Sequence, residues 1–289
     1  MKENSYGMLK RYRFISNLIK QEIQSNGANA IKILDVGCGT GDMVTIPLSI
    51  EFKDEIDLWT FEMDDNSISY LKKRIATDSI KLNVASEFSS VEKEKFKVII
   101  ISEVLEHVDD AEDFFNSYSN LLETGGKIIL TLPNGYGFFE FDSIFWNLLS
   151  ISGLVALIIK IKRVFIKSKA GSLSVTDTLA YCPHVNFFSH NQIKKFIRER
   201  GFKVEAYEGR TFICGPFISS LLNRIPFLFK INNFLGTKFN PLLVSGWMFL
   251  LAHDSVGLPL NVAKGDKAVF HYGFYARIKR YLNFKADIA

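Results

Sequence analysis

Residues 30–42, AIKILDVGCGTGD, are the stretch that decides the fold. A short apolar segment stops at Asp35, and Gly37, Gly39 and Gly41 alternate after it. Glycine adopts left-handed backbone without strain and lets a ligand approach the main chain, because it has no Cβ. A helix that starts after such a loop turns its free N–H groups toward the ligand. The stretch predicts a strand–turn–helix unit whose turn either binds a ligand or is only a tight connection.

The acid that ends the next predicted strand favours a ligand-binding turn. Residues 57–62, DLWTFE, have strand character and end on Glu62, 27 residues after Asp35. An acid at that strand end can accept hydrogen bonds from both hydroxyls of a ribose. Dinucleotide-binding loops space their glycines as G-x-G-x-x-G, whereas this loop has G-x-G-x-G. These features predict an adenosine-containing cofactor and argue against a nucleotide-dependent oxidoreductase.

Strands and helices alternate along much of the chain. The apolar spacing predicts helices over residues 6–25, 42–50, 64–74, 109–123 and 190–201. The apolar runs predict strands over residues 30–37, 57–62, 80–85, 96–102, 127–133, 202–209 and 245–253. We expect the fourth helix to end at Thr124-Gly125-Gly126. This alternation is typical of an α/β fold with a parallel sheet covered by helices on both faces.

The loop and four further segments resemble the class I S-adenosylmethionine-dependent methyltransferases. The segments are FEMD (61–64), FKVIIISEVLEHV (96–108), LLETGGKIILTLPN (121–134) and HVNFFSHNQIKKFIRERGFKV (184–204). They are similar to the small-molecule branch, including the ubiquinone-pathway O-methyltransferases. The resemblance implies a Rossmann-like, doubly wound sheet of seven strands with an antiparallel last strand. It also implies S-adenosylmethionine as the cofactor.

The same resemblance assigns a set of cofactor-binding residues: Asp35, Gly37, Cys38, Gly39, Gly41, Glu62, Met63, Ser86, Ser102 and Glu103. It implies that the glycine loop cradles the methionine and ribose part, that Glu62 binds the ribose and that Met63 packs on the adenine. Ser102 and Glu103 stand where the family contacts the methionine end. The family often has an acid soon after the third strand, where this sequence has Ala85-Ser86-Glu87. That adenine contact stays open.

Glu103, Glu106 and His107 have the i, i+3, i+4 spacing that places side chains on one face of a predicted helix. Two carboxylates and an imidazole can bind a divalent cation such as Mg²⁺. The pattern resembles the metal-binding E-x-x-E-H of small-RNA 2′-O-methyltransferases, and His184 matches the distant histidine of that site. Alternatively, His107 with Glu106 provides general-base catalysis without a metal. In the plainest interpretation, these residues cap the helix and line the pocket.

Composition excludes several classes of protein. The chain has 289 residues, of which 47% are hydrophobic and 23% charged, as in ordinary globular proteins. Three scattered cysteines form no disulfide framework or zinc ribbon, and the first residues lack the apolar core of a signal peptide. We therefore expect a cytoplasmic protein. Residues 1–140 carry 15 basic and 23 acidic side chains, whereas residues 141–289 carry 20 and 8.

An apolar insert interrupts the resemblance to the family. Residues 143–159 are almost uncharged, and a basic run follows at residues 160–169. A single membrane span is excluded by topology, because residues 184–204 must rejoin the sheet that residues 30–135 begin. Two interpretations remain: a lid helix over the active site, or peripheral contact of residues 143–169 with the inner membrane surface. A nucleic-acid partner is disfavoured, because the basic residues are interleaved with aliphatic ones.

We expect one methyltransferase domain over residues 1–289. Its predicted parts are a lead-in helix (6–25), a cofactor-binding core (30–135), a lid insert (135–183), the resumed core (184–253) and a tail (254–289). The predicted activity is methyl transfer to a small or lipid-linked acceptor at oxygen, because a hydroxyl acceptor needs the base or cation that the acid–acid–histidine cluster offers. The alternatives are a catalytically silent binding or scaffold protein and an RNA 2′-O-methyltransferase.

Overall fold

The computed structural model of the chain describes residues 3–4, 6–27, 29–152, 184–215, 218 and 225–254. Part of the predicted lid insert (153–183), with its basic run, and nearly all of the predicted tail (255–289) lie outside the described residues.

The described helices and strands follow the predicted alternation. The helices are α1 (Met8–Asn26), α2 (Thr45–Phe52), α3 (Asp65–Asp78), α4 (Ala111–Ser119), α5 (Phe138–Ile151), α6 (His190–Glu199) and α7 (Pro226–Lys238). The strands are β1 (Ile31–Val36), β2 (Ile56–Phe61), β3 (Asn83–Ala85), β4 (Phe96–Ser102), β5 (Leu122–Pro133), β6 (Phe202–Gly209) and β7 (Gly246–His253). Short 3₁₀ turns lie at Lys53–Glu55 and Phe88–Ser90.

The seven strands form one sheet in the order β3-β2-β1-β4-β5-β7-β6. Strands β1 to β5 pair in parallel, and β7 runs antiparallel to both β5 and β6. The predicted Rossmann-like sheet with an antiparallel last strand is confirmed. Because the first five strands are parallel, the segments that follow β1, β2 and β4 leave the sheet at the same edge, where α/β folds bind ligands.

The central strand β4 is buried on both faces of the sheet. Val98 and Ile100 join the apolar cluster under α1 and α2, whereas Ile99 and Ile101 join the cluster under α4 and α6. Successive side chains of a strand point to opposite faces, so a continuous apolar run is what a doubly covered strand requires. The two clusters make the sheet a rigid base for the loops at its edge.

The predicted helix over residues 109–123 is wrong at its C-terminal end. Helix α4 ends at Ser119, and Thr124-Gly125-Gly126 lie within β5. Phe96 pairs with Leu122 and Val98 with Lys127, so the extra residues of β5 form a bulge. Gly125 has φ +73°, which suits a bulge as well as a helix end. Sequence alone does not separate the two uses of glycine.

No helix within the described ranges has both the length and the apolar character that crossing a membrane requires. The described part of the insert forms α5, which covers residues 138–151 of the predicted lid.

Candidate active site

The glycine loop follows β1 and is held in left-handed backbone at its three glycines. Gly37, Gly39 and Gly41 have φ values of +69°, +55° and +75°. A Cβ on Gly37 would lie 2.7 Å from Val104 Cγ2, and one on Gly41 would lie 2.7 Å from Leu71 Cδ1. A Cβ on Gly39 would meet no heavy atom within 4 Å among the described residues. Two of the glycines therefore serve close packing, and Gly39 leaves open space that a ligand can fill.

Asp35 lies beneath the loop and is 2% exposed. Thr45 Oγ1 donates a hydrogen bond of 2.5 Å to Asp35 Oδ2. Burial raises the pKa of Asp35 to about 7, against the smaller lowering effect of the Thr45 hydrogen bond. Burial also raises the pKa of the neighbouring Cys38 thiol to about 12. Cys38 is thus a protonated thiol at neutral pH and not a nucleophile.

Glu62 links the glycine loop to the end of β2. Its Oε2 accepts a hydrogen bond of 2.6 Å from Gly39 N, and its Oε1 accepts bonds from the backbone N–H groups of Met63 and Asp64. Met63 is 75% exposed, and Ser86, after β3, is also exposed. The structure therefore places Glu62 against the glycine loop, and it leaves the side chains of Met63 and Ser86 exposed.

Glu103 follows β4 and is enclosed by two arginines that sequence reasoning missed. Arg210 Nη1 donates a hydrogen bond to Glu103 Oε2, and Arg11 Nη1 lies 3.4 Å from the same oxygen. Thr131 Oγ1 donates to Glu103 Oε1 at 3.0 Å and lies 3.0 Å from Ser102 Oγ. Burial opposes ionisation of Glu103, but the two guanidinium groups outweigh it and lower its pKa. Glu103 is therefore a carboxylate whose charge is already neutralised.

Arg11 is held in place through its neighbour on α1. Lys10 Nζ donates to the backbone oxygens of Gly209, Arg210 and Asn233 at 2.6, 2.7 and 3.1 Å. These bonds join α1 to the end of β6 and to α7. Arg11 and Arg210, which neighbour the bonded groups, therefore both lie next to Glu103. In the sequence, Lys10 and Arg11 are only two basic residues of the predicted lead-in helix. Nothing about them identifies Glu103, about 90 residues away, as a partner.

The helical turn expected over Glu103, Glu106 and His107 does not form. Residues 103–110 form a turn, and α4 starts after Asp110, whose side chain accepts from Glu112 N and Asp113 N as a helix N-cap. Glu103 itself has φ +58°, an unusual conformation for a residue other than glycine. The expectation that Glu103, Glu106 and His107 share a helix face is therefore wrong. The turn separates Glu103 from the other two.

The turn instead brings Glu106 and His107 together with His184. One candidate ligand atom from each of the three residues lies within 4.8 Å of the others. The ring centres of His107 and His184 are 4.9 Å apart, with an interplanar angle of 63°, and His107 Nε2 lies 3.9 Å from Glu106 Oε1. We call these three residues the histidine cluster. Glu103 of the predicted metal set is not part of it.

The histidine cluster is largely buried. Glu106 is 1% exposed, and its Oε2 has no hydrogen-bond partner within the part of the chain that the structure describes. Burial, reinforced by the negative charge of Glu103, raises the pKa of Glu106. Burial lowers the pKa of His184. At neutral pH the cluster therefore offers the uncharged imidazole of His184 next to the carboxyl group of Glu106, which favours its protonated form. A positive charge nearby would favour loss of that proton.

Backbone bonds join the distant His184 segment to the turn. The N–H groups of Val185 and Asn186 donate to Glu106 O at 2.7 and 3.0 Å. The Asn186 side chain donates to Leu105 O and Val108 O at 2.8 and 2.7 Å. Asn186 was missed by sequence reasoning, although it follows the predicted His184 by two residues. His184 Nδ1 also lies 2.8 Å from Glu140 Oε1 on α5, a second residue that was missed.

Comparisons with known proteins agree with this geometry. The profile of a family described as "Methyltransferase domain" matches residues 9–207. The chain is 34% identical over 111 residues to human mitochondrial ubiquinone biosynthesis O-methyltransferase, covering 36% of this chain and 29% of that protein. It is 30% identical over 130 residues to ubiquinone biosynthesis O-methyltransferase of Pelagibacter ubique (strain HTCC1062), covering 43% of this chain and 52% of that protein. The match thus spans about half, or less, of these relatives.

A solved structure shares the fold at low sequence identity. PKMT2 from Rickettsia typhi in complex with AdoHcy superimposes with a TM-score of 0.50 and 15% identity, covering 79% of this chain and 50% of that chain. This likeness concerns the fold alone. The family profile, however, covers more than half of the chain, and the strand order agrees with it. The chain belongs to the family of class I S-adenosylmethionine-dependent methyltransferases.

Proposed function

We propose that the chain transfers a methyl group from S-adenosylmethionine to an oxygen atom of a small or lipid-linked acceptor. One contact carries the proposal: Gly37 packs directly against Val104, three residues before His107. The loop that fits the cofactor and the turn that bears the histidine cluster are therefore adjacent. The ubiquinone biosynthesis O-methyltransferases that match part of the chain support an oxygen acceptor.

The residues around the glycine loop fit S-adenosylmethionine. Open space beside Gly39 lets a ligand lie against the main chain, and Glu62 stands next to it. When bound, the cofactor supplies an electrophilic methyl group on a sulfonium. The chain's own task is to align the acceptor and exclude water, and effective molarities on the order of 10⁵ M or more are available from alignment alone.

A hydroxyl acceptor must also lose a proton, and the histidine cluster can take it. His107 is the proposed general base, because its side chain is 21% exposed and so can be reached from the site. A positioned base contributes about 10²–10⁴-fold in rate. Glu106, buried beside it, stabilises the imidazolium that forms. His107 contacts the His184 ring edge to face and lies 3.9 Å from Glu106 Oε1, so these two residues hold its imidazole in position.

The histidine cluster also fits a divalent cation. The buried Glu106 Oε2 lacks a hydrogen-bond partner among the described residues, so this oxygen could bind the cation. Glu106, His107 and His184 would hold the ion. Two imidazoles and one carboxylate suit a borderline metal better than Mg²⁺, which prefers oxygen ligands. A bound cation supplies Lewis acidity, which lowers the pKa of a hydroxyl group.

Calorimetry and a labelled-cofactor screen test the proposal. Titration of the full chain with S-adenosylmethionine is expected to show one binding site. Absence of binding heat contradicts the enzyme and leaves a methyltransferase-like binding protein. Incubation with labelled cofactor and fractionated metabolites or lipids is then expected to label an O-methylated small molecule. A labelled RNA fraction instead identifies the RNA methyltransferase.

Exposed apolar side chains support the lipid-linked form of the acceptor. On α5, Phe138, Phe141, Phe145 and Leu148 follow helical spacing and are 40–59% exposed. On α7, Phe227 and Phe234 are 67% and 62% exposed. Phe212 contacts Phe138 on α5 and Phe239, the residue that follows α7. The exposed face of α5 shortly precedes the basic run 160–169 in sequence, and an apolar face next to basic residues suits an anionic membrane surface.

Liposome flotation tests this membrane contact. The chain is expected to float with vesicles that contain anionic lipid and to bind neutral vesicles less. Replacement of Phe227 and Phe234 by Ser should reduce flotation, whereas Ile50→Ser, at an exposed apolar position of α2, should not. No flotation with either vesicle removes the membrane proposal and leaves α5 as a lid over the site.

A further inference from the structure

Glu140 is a buried acid on α5, a helix that also carries exposed aromatic side chains. It lies in the first turn of α5 and is 0% exposed, while Phe138 and Phe141 are 40% and 59% exposed. Burying a carboxylate is costly unless it is hydrogen-bonded. Its position in the first helical turn favours the ionised form, because the helix dipole is positive there. The carboxylate therefore needs a donor as partner.

His184 is the partner of Glu140. Its Nδ1 lies 2.8 Å from Glu140 Oε1, and its ring packs against the rings of Phe139 and Phe187 at 5.8 and 6.4 Å. An ionised carboxylate only accepts hydrogen bonds, so an ionised Glu140 requires the proton of this bond on Nδ1. A neutral imidazole has one N–H group. With that group on Nδ1, the lone pair is on Nε2.

We infer that Glu140 is a positioning residue that holds His184 in the Nδ1–H tautomer, so that Nε2 keeps its lone pair for the histidine cluster. The inference rests on the proposed function, because a cation in the histidine cluster needs this lone pair of His184 as a ligand atom. Carboxylates that bind the second ring nitrogen of a histidine fix its tautomer and orientation in this way.

A purely structural role for Glu140 makes a different prediction. Packing alone would be preserved by an isosteric amide, whereas the tautomer would not. The amide of glutamine can donate as well as accept, so it permits either tautomer of His184. Asp142 is the matched control, because it is also a buried acid of α5, 8% exposed, and its Oδ2 accepts from Ile218 N at 3.2 Å.

The experiment records long-range ¹H–¹⁵N spectra of the full chain labelled with ¹⁵N-histidine, in the presence of chelator. The chain has five histidines, and the His184→Asn variant assigns the relevant signals. We expect His184 of the unmodified chain to be Nδ1–H. Glu140→Gln should convert it to a mixture or to Nε2–H, and Asp142→Asn should leave it unchanged.

Two results overturn the inference: an Nε2–H tautomer in the unmodified chain, or an Nδ1–H tautomer that persists in Glu140→Gln. The first measurement is made on the unmodified chain and needs only His184→Asn for assignment, so it stands even where Glu140→Gln prevents folding. Neither measurement uses cofactor or acceptor. Loss of binding heat with S-adenosylmethionine therefore contradicts the proposed function separately, whatever tautomer His184 adopts.

Discussion

The glycine loop and the histidine cluster lie side by side at one edge of the sheet, but they are constructed from different parts of the chain. The loop works through backbone: left-handed glycines and the N–H of Gly39, which donates to Glu62. The cluster works through side chains of Glu106, His107 and His184 that meet only after folding. A backbone site depends on conformation at a few positions, whereas a side-chain site depends on packing between distant segments. Substitutions should therefore affect the two in different ways.

The largest expected effect is on turnover at the histidine cluster. His107→Ala and Glu106→Ala should each lower kcat by about 10²–10⁴-fold at saturating substrates, because either a base or a ligand is lost. Cofactor affinity should change little, since the glycine loop is intact. The measurement is single-turnover transfer from labelled S-adenosylmethionine to the acceptor found in the screen.

His190→Ala is the matched histidine control, because His190 packs against Tyr207 and Trp247 outside the cluster. Its turnover should stay near that of the unmodified chain. Unchanged turnover in both His107→Ala and Glu106→Ala would remove the general-base and the metal-binding roles together.

The next effect concerns stability at the boundary between the two regions. Glu103→Ala leaves the guanidinium groups of Arg11 and Arg210 close together without a counter-charge. Removing one partner of a buried pair costs about 3–5 kcal/mol, and we expect about 2–4 here because the pair is partly exposed. The Glu103 side chain is 21% exposed. Urea unfolding measures the loss.

Lys81→Ala is the control for this stability measurement. It breaks the exposed ion pair with Asp54, which solvent screens, so unfolding should be unchanged within error. An equal loss in the two variants would mean that the arginine pair contributes no more than a surface contact.

The sequence predicts the backbone site better than the side-chain site. The loop, β1 and β4 were predicted because their signals are local: alternating glycines and continuous apolar runs. Glu62 was predicted to act with the loop because one βαβ unit brings it there. Glu103 was expected on a helix, yet it has a positive φ that no short-range pattern of acids and histidine indicates.

The missed residues share a different property: their partners are far along the chain. Arg210 and Glu103 are 107 residues apart, and Glu140 and His184 are 44 apart. Neither distance has a periodicity that a single sequence reveals. The resemblance to a family supplied His184, whereas Glu140 belongs to the insert where that resemblance stops. Side-chain partners of this kind become visible only when the sheet brings their segments together.

The third prediction concerns the ionisation of Asp35, the buried acid beneath the glycine loop, and its effect on stability as the pH changes. Asp35 has a folded pKa of about 7 against an ordinary value of 3.8. Between these values the folded chain holds a proton that the unfolded chain has lost, so this carboxyl makes stability fall as the pH rises. Asp35→Asn cannot ionise. Relative to the unmodified chain, the free energy of unfolding of the variant should therefore increase by about 2–3 kcal/mol from pH 5 to pH 8.

Thermal unfolding without cofactor, at several pH values, measures this difference. Asp65→Asn, at an exposed acid on α3, controls for the amide itself and should give a constant offset. A constant offset for Asp35→Asn as well would show that Asp35 is ionised throughout the folded state.

The smallest effect separates cofactor binding from backbone strain in the loop. Gly39→Ala places a methyl group where no heavy atom of the described chain lies within 4 Å, so the fold can accept it. The left-handed backbone at φ +55° costs alanine about 1–2 kcal/mol. If the open space holds cofactor, affinity for S-adenosylmethionine should also fall at least about tenfold, or about 1.4 kcal/mol. Calorimetry measures it.

Gly125→Ala isolates the strain. Gly125 has φ +73°, and a Cβ there also meets nothing within 4 Å among the described residues, but it lies in the bulge of β5. Both variants should lose similar stability, because both force alanine into left-handed backbone. Only Gly39→Ala should lose affinity. Equal affinities of Gly39→Ala and Gly125→Ala for S-adenosylmethionine would mean that the cofactor does not lie in the space beside Gly39. The loop would then be only a tight connection between β1 and α2.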